Sequence, residues 1–155
     1  MSIKSQKANM MQIHSLISQD LSYIHGEKES GPNGAKKLFL SRSAAFLRTL
    51  GKDLGFSDMK VFTNPAGIAV SGEVTLYGMW SKGNGISLEI TQPFARSFSF
   101  LYRSIFHIKD YRGGANMWLP CSLFNEGNYE KVLRILMAVR DSHAAEQTEA
   151  DNHVA

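Results

Sequence analysis

GIAVSGEVTLYGMW, residues 67–80, decides the fold class. Ile68, Val70, Val74, Leu76 and Trp80 share one parity, while Ser71, Glu73, Thr75 and Tyr77 share the other. Successive side chains of a strand point to opposite faces, so this period of two describes a β-strand with a core on one side. SKGNG (81–85) then reads as a hairpin turn, with Asn84-Gly85 supplying the positive φ angles that tight turns need. ISLEIT (86–91) repeats the alternation, with Ile86, Leu88 and Ile90 inward and Ser87, Glu89 and Thr91 outward. After a break at Pro93, SFSFLYRSIFHI (97–108) places Phe98, Phe100, Tyr102, Phe106 and Ile108 on one face. Ser99, Leu101, Arg103, Ile105 and His107 take the other. MKVFT (59–63) supplies a fourth strand.

On either side of these strands the period lengthens. Phe39, Phe46, Leu47, Leu50 and Leu54 fall in one helical sector, with Lys37, Ser41, Arg48 and Lys52 opposite, which predicts a helix capped by Asn33 and stopped at Gly55. Val132, Leu133, Ile135, Leu136 and Val139 predict a closing helix from about Asn128 to Arg140. Residues 5–25 carry a more ragged stripe (Ala8, Met11, Ile13, Leu16, Ile17, Leu21, Ile24) ending at Gly26. The fold expected is therefore α+β, an antiparallel sheet of about four strands packed on one face by two or three helices. The expected organisation is an N-terminal helix and loop over residues 1–30, one α+β domain over 31–141, and a disordered acidic tail over 142–155.

The 155 residues suit one domain, and 43% hydrophobic against 20% charged residues is a globular balance rather than that of a disordered chain. The net charge of +3 conceals an asymmetry: residues 141–155 hold four acidic and no Lys or Arg residues, so the remainder carries 17 basic against 14 − 4 = 10 acidic, or +7. A basic body favours nucleic acid or an acidic protein surface as partner. The single cysteine, Cys121, excludes an internal disulfide and a Cys-rich zinc site, and fits a cytoplasmic protein. No signal peptide and no membrane span is expected.

Few motifs carry chemistry. GPNGAKK (31–37) lacks both the preceding strand and the spacing of a phosphate loop. The histidines have no spacing that would ligate a metal, and neither a hydrolase elbow nor a dinucleotide fingerprint occurs, so no metal and no cofactor is expected. Strand parity gathers Glu73, Thr75, Tyr77, Glu89, Arg103 and His107 on the outer face. Glu73, Glu89, Arg103 and His107 could form an acid/base site; cross-strand ion pairs on a solvated face explain them equally well.

KDYRGGANMWLP (109–120) joins cations to aromatic rings around two glycines. Gly113 and Gly114 allow either an unusual turn or a close backbone approach. Lys109, Tyr111, Arg112, Asn116 and Trp118, with Arg103, are the candidate partner-binding residues, since charge and flat rings suit base stacking or a protein hot spot. Trp118 and Leu119 could instead plug the edge of the core. The order TNPAGIAVSGEVTLYGMW, a strand with LYR, then D-Y-x-G-G-x-N-x-aromatic resembles small accessory proteins of bacterial plasmids and integrative elements. It covers about residues 36–140. This resemblance implies a mobile-element accessory protein acting in transfer, maintenance or evasion of host defence, and it assigns no catalytic residue. The function expected is non-enzymatic binding of nucleic acid or a host defence protein, with a small enzyme as the alternative.

Overall fold

A computed structural model describes residues 35–64, 73–91, 99–110, 112–120, 123 and 126–154. Helix α1 (Ala35–Leu54) leads into strands β1 (Asp58–Asn64), β2 (Glu73–Ser81), β3 (Asn84–Thr91), β4 (Ser99–Ile105) and β5 (Met117–Leu119), and helix α2 (Tyr129–Val154) closes the chain. The five strands form one antiparallel meander in chain order. The α+β expectation holds with one strand more than foreseen. Three residues between glycines and Pro120 make too short a run to show a period, so β5 escapes a pattern search.

Residues paired across antiparallel strands share a face. Val61, Leu76, Leu88, Tyr102 and Met117 form one row, and Val74, Ile90, Phe100 and Leu119 the next. Apart from Met117, which is exposed, these rows meet Phe39, Phe46, Leu47, Leu50 and Leu54 of α1 and Tyr129, Val132, Leu136 and Val139 of α2 in one continuous core. Burying each aliphatic or aromatic side chain of this set contributes roughly 1.5–3 kcal/mol. Helix α1 lies over β1 and β2, and α2 over β3 and β4.

Helix α1 stops as expected at Gly55 (φ 75°). The amides of Gly55 and Phe56 donate to the carbonyls of Lys52 and Gly51, and the Trp80 indole donates to Leu54 O at 2.8 Å. Three of the four orphan carbonyls of the last turn are thereby satisfied. The buried Tyr129 phenol donates to Asp53, tying the start of α2 to the end of α1. Burial and the Asp53 carboxylate both raise the Tyr129 hydroxyl above its ordinary pKa.

Three expectations need correction. The hairpin turns at Lys82-Gly83, where Gly83 has φ 77°, and not at Asn84-Gly85. Asn84 already belongs to β3 and is buried, donating from Nδ2 to Arg140 O of α2 at 3.1 Å. The last helix runs past Arg140 to Val154, through the segment expected to be a disordered tail. AAEQTEA (144–150) consists largely of strong helix formers and has no Gly or Pro, so the helix propagates through it. Strand β4 ends at Ile105, so the alternation does not extend to Phe106, His107 and Ile108. Phe106 is exposed, and Ile108 packs on the outer face against Tyr77, Met79 and Ile105. The expected N-terminal helix, the Asn33 cap, Ile68, Val70, Phe98, Tyr111 and Cys121 lie outside the described residues.

Candidate functional site

The sheet face away from the helices includes three neighbouring rows beside the row of Met79, Gly85 and Ile105. They are Asn64, Glu73, Thr91 and Ser99; then Phe62, Thr75, Glu89, Leu101 and Trp118; then Lys60, Tyr77, Ser87 and Arg103. Glu73, Glu89 and Arg103 thus stand on three adjacent strands, each one row from the next, a diagonal that long side chains can bridge. Glu89 hydrogen-bonds Glu73, and its carboxyl is pushed up to about 7 by burial first, then by this bond and the neighbouring charge, against the pull of Arg103. Two carboxyl groups can bond to each other only while one keeps its proton.

His107 does not join them. It lies in the bend after β4, exposed, with Nε2 4.0 Å from an Asp110 carboxylate oxygen. Sequence parity therefore assembled three of the four residues of the acid/base alternative and misplaced the fourth.

Asp110 organises the loop that follows β4. Its buried carboxylate accepts the amides of Phe106 and Arg112 at 2.9 and 2.8 Å, and its carbonyl accepts from Arg103 Nη2 at 2.9 Å. Burial alone would raise this carboxyl. The two amides, with His107 and Arg103, outweigh that effect and hold it below its ordinary value. An aspartate accepting the amide two residues on is a turn signal readable in sequence, and it is the one functional residue that the motif contained but charge counting overlooked.

The glycine pair serves close approach. The Gly114 amide donates to Ser104 O at 2.9 Å, while a Cβ at Gly113 would overlap that same carbonyl and one at Gly114 the Ser104 hydroxyl. Neither glycine has positive φ; the left-handed residue of the loop is Lys109, at φ 61°. Its Nζ lies 4.3 Å from the centroid of the Phe62 ring, which is in edge contact with Tyr77. Lys109 and Ile108 thereby fold the loop back over one end of the outer face, where Tyr77, Met79 and Ile105 make a second small core.

What remains outward is specific. Trp118 is 61% and Phe106 57% exposed, and Arg112, Asn116 and His107 are also exposed. Leu119 fills the core, so the plug reading holds for Leu119 and fails for Trp118, whose place between Met117 and Leu119 in β5 turns it to the outer face. The Arg112 guanidinium has no hydrogen bond or ion pair among the described residues; its amide alone is used. Arg103, by contrast, anchors the loop. Residues 103–118 carry Arg103, Lys109 and Arg112 against a single acid, Asp110.

On the opposite face a groove of about 590 Å³ opens between α2 and the β4–β5 edge, lined by Tyr102, Ser104, Met117, Ile135 and Val139 among others, none of them charged. Burial there raises the Tyr102 hydroxyl. Among the described residues no three side chains are grouped to hold a metal ion, and no helix is long and apolar enough to cross a membrane. Protein-family models, curated proteins and solved structures all fail to match this chain.

Proposed function

We propose that the protein is a non-enzymatic binding module that engages single-stranded nucleic acid through the loop and short strand spanning residues 106–118. One observation carries this reading: the segment that exposes Phe106 and Trp118 also exposes Arg112, whose guanidinium has no partner among the described residues, on a backbone pinned by Asp110 and Ser104. Exposed rings stack bases whatever their identity, and neighbouring cations follow the phosphates. A loop already held in place loses little entropy on binding. The resemblance to mobile-element accessory proteins gives the module a setting in which nucleic acid is at hand. A host defence protein with an acidic surface is the competing partner.

The test is the affinity of a labelled oligonucleotide across a salt series. Affinity should fall steeply with salt, and Arg112→Ala should weaken it roughly tenfold and flatten the slope. Binding indifferent to salt and to Arg112 would sink the nucleic-acid reading. Capture of a protein that survives nuclease treatment would favour the competing partner.

A second reading has its own observation. The proton shared by Glu73 and Glu89 is what a general acid beside a general base requires, with Arg103 positioned for an anionic group. Loss of a measurable turnover in Glu89→Gln would support it.

A further inference from the structure

Arg103 is the one residue that belongs both to the carboxyl pair and to the binding loop. It stands one row from Glu89 on the neighbouring strand, and its Nη2 donates to Asp110 O, while the Asp110 carboxylate holds the amides of Phe106 and Arg112. We infer that this chain is a proton-controlled latch: Glu73 and Glu89 share one proton, and its release to solvent draws the Arg103 guanidinium off the Asp110 carbonyl, loosening the loop that carries Phe106 and Arg112. With the proton in place the pair bears one negative charge. Without it, two carboxylates face each other across β2 and β3, and among the described residues the arginine on β4 is the cation nearest Glu89 by register.

The other charged and titratable groups of this face do not substitute for it. From β1, Lys60 and Asp58 lie one or more strands further from Glu89. Tyr77 of β2 is buried against the Phe62 ring. Strand β5 contributes uncharged Trp118. In the loop, Lys109 is placed over Phe62, and His107 lies beside Asp110. Glu89 titrates near 7, so the latch would change state close to neutrality.

The consequence for partner binding rests on the proposed role of the loop; the latch itself does not. The experiment therefore reads the two separately. Hydrogen-exchange protection factors of the Phe106, Arg112 and Gly114 amides are measured from pH 5.5 to 8.5, corrected for intrinsic exchange, alongside oligonucleotide affinity. Protection should fall roughly tenfold through neutrality, the scale of losing one charge-assisted hydrogen bond. Glu89→Gln, which keeps a donor to Glu73 and never ionises, should hold protection high throughout. Arg103→Gln should leave it low throughout, and His107→Asn should leave the wild-type transition in place. Protection that is flat in the wild type, or that still falls in Glu89→Gln, overturns the latch. A transition in protection without any oligonucleotide binding leaves the latch standing and rejects the nucleic-acid reading instead.

Discussion

The two faces of this sheet are made by the same five strands and are held by different physics. On the helix side, Leu76, Leu88, Ile90 and Phe100 are fully buried among aliphatic and aromatic neighbours, and the stabilisation these four contribute is apolar. On the outer side, a small apolar cluster is surrounded by carboxyls, an arginine and a loop tied down by one aspartate. The difference teaches that a parity argument separates the faces correctly and still says little about what the second face does. That depends on which part of the chain returns over it.

The largest effect should come from the helix side. Phe100→Ala should cost about 3–5 kcal/mol in urea denaturation, the range for an aromatic removed from a packed core. A loss below ~1 kcal/mol would mean the two faces are less unlike than described. Next, Gly113→Ala forces a Cβ against a backbone carbonyl that cannot swing away, and should cost roughly 1–3 kcal/mol. A wild-type melting temperature would show that the loop does not press on β4.

The pH dependence of stability should distinguish two carboxyls of opposite sign. Asp110 is lowered from 3.8, so its contribution is present above that value and is lost as pH falls through its folded value. Glu89 is raised from 4.5 to about 7, so its contribution is complete below 4.5 and is lost as pH rises through 7. Because Glu89 is half exposed, solvent screening limits its share to about 1 kcal/mol. Denaturation midpoints across pH should therefore decline on both sides, with Asp110→Asn flattening the acid limb and Glu89→Gln the neutral one. If Glu89→Gln leaves the neutral limb unchanged, the outer face is an ordinary solvated surface.

The smallest effect on stability should be at Trp118. Trp118→Ala should change unfolding free energy by less than about 1 kcal/mol, as expected of an exposed position, while oligonucleotide affinity falls by roughly tenfold for one lost stacking platform. A stability loss of the Phe100 size would return Trp118 to the core.

The sequence by itself determined the parts that repeat. Four strands, their parity, both described helices and the Gly55 stop follow from periods of 2 and 3.6, because burial on one side of a regular element leaves a regular trace. It also brought Glu73, Glu89 and Arg103 to one face, since parity survives ignorance of strand order. Tertiary structure alone decided the rest. Beyond Ile105 the chain is no longer a strand, so parity placed Phe106 and Ile108 on the wrong sides and His107 with the wrong partners. The roles of Asp110 and Ser104, the pressing of Gly113 on β4 and the choice of Lys82-Gly83 over Asn84-Gly85 each depend on one contact between segments at a single place. Local composition does not encode such contacts, because their free energy arises only when both segments are already in position.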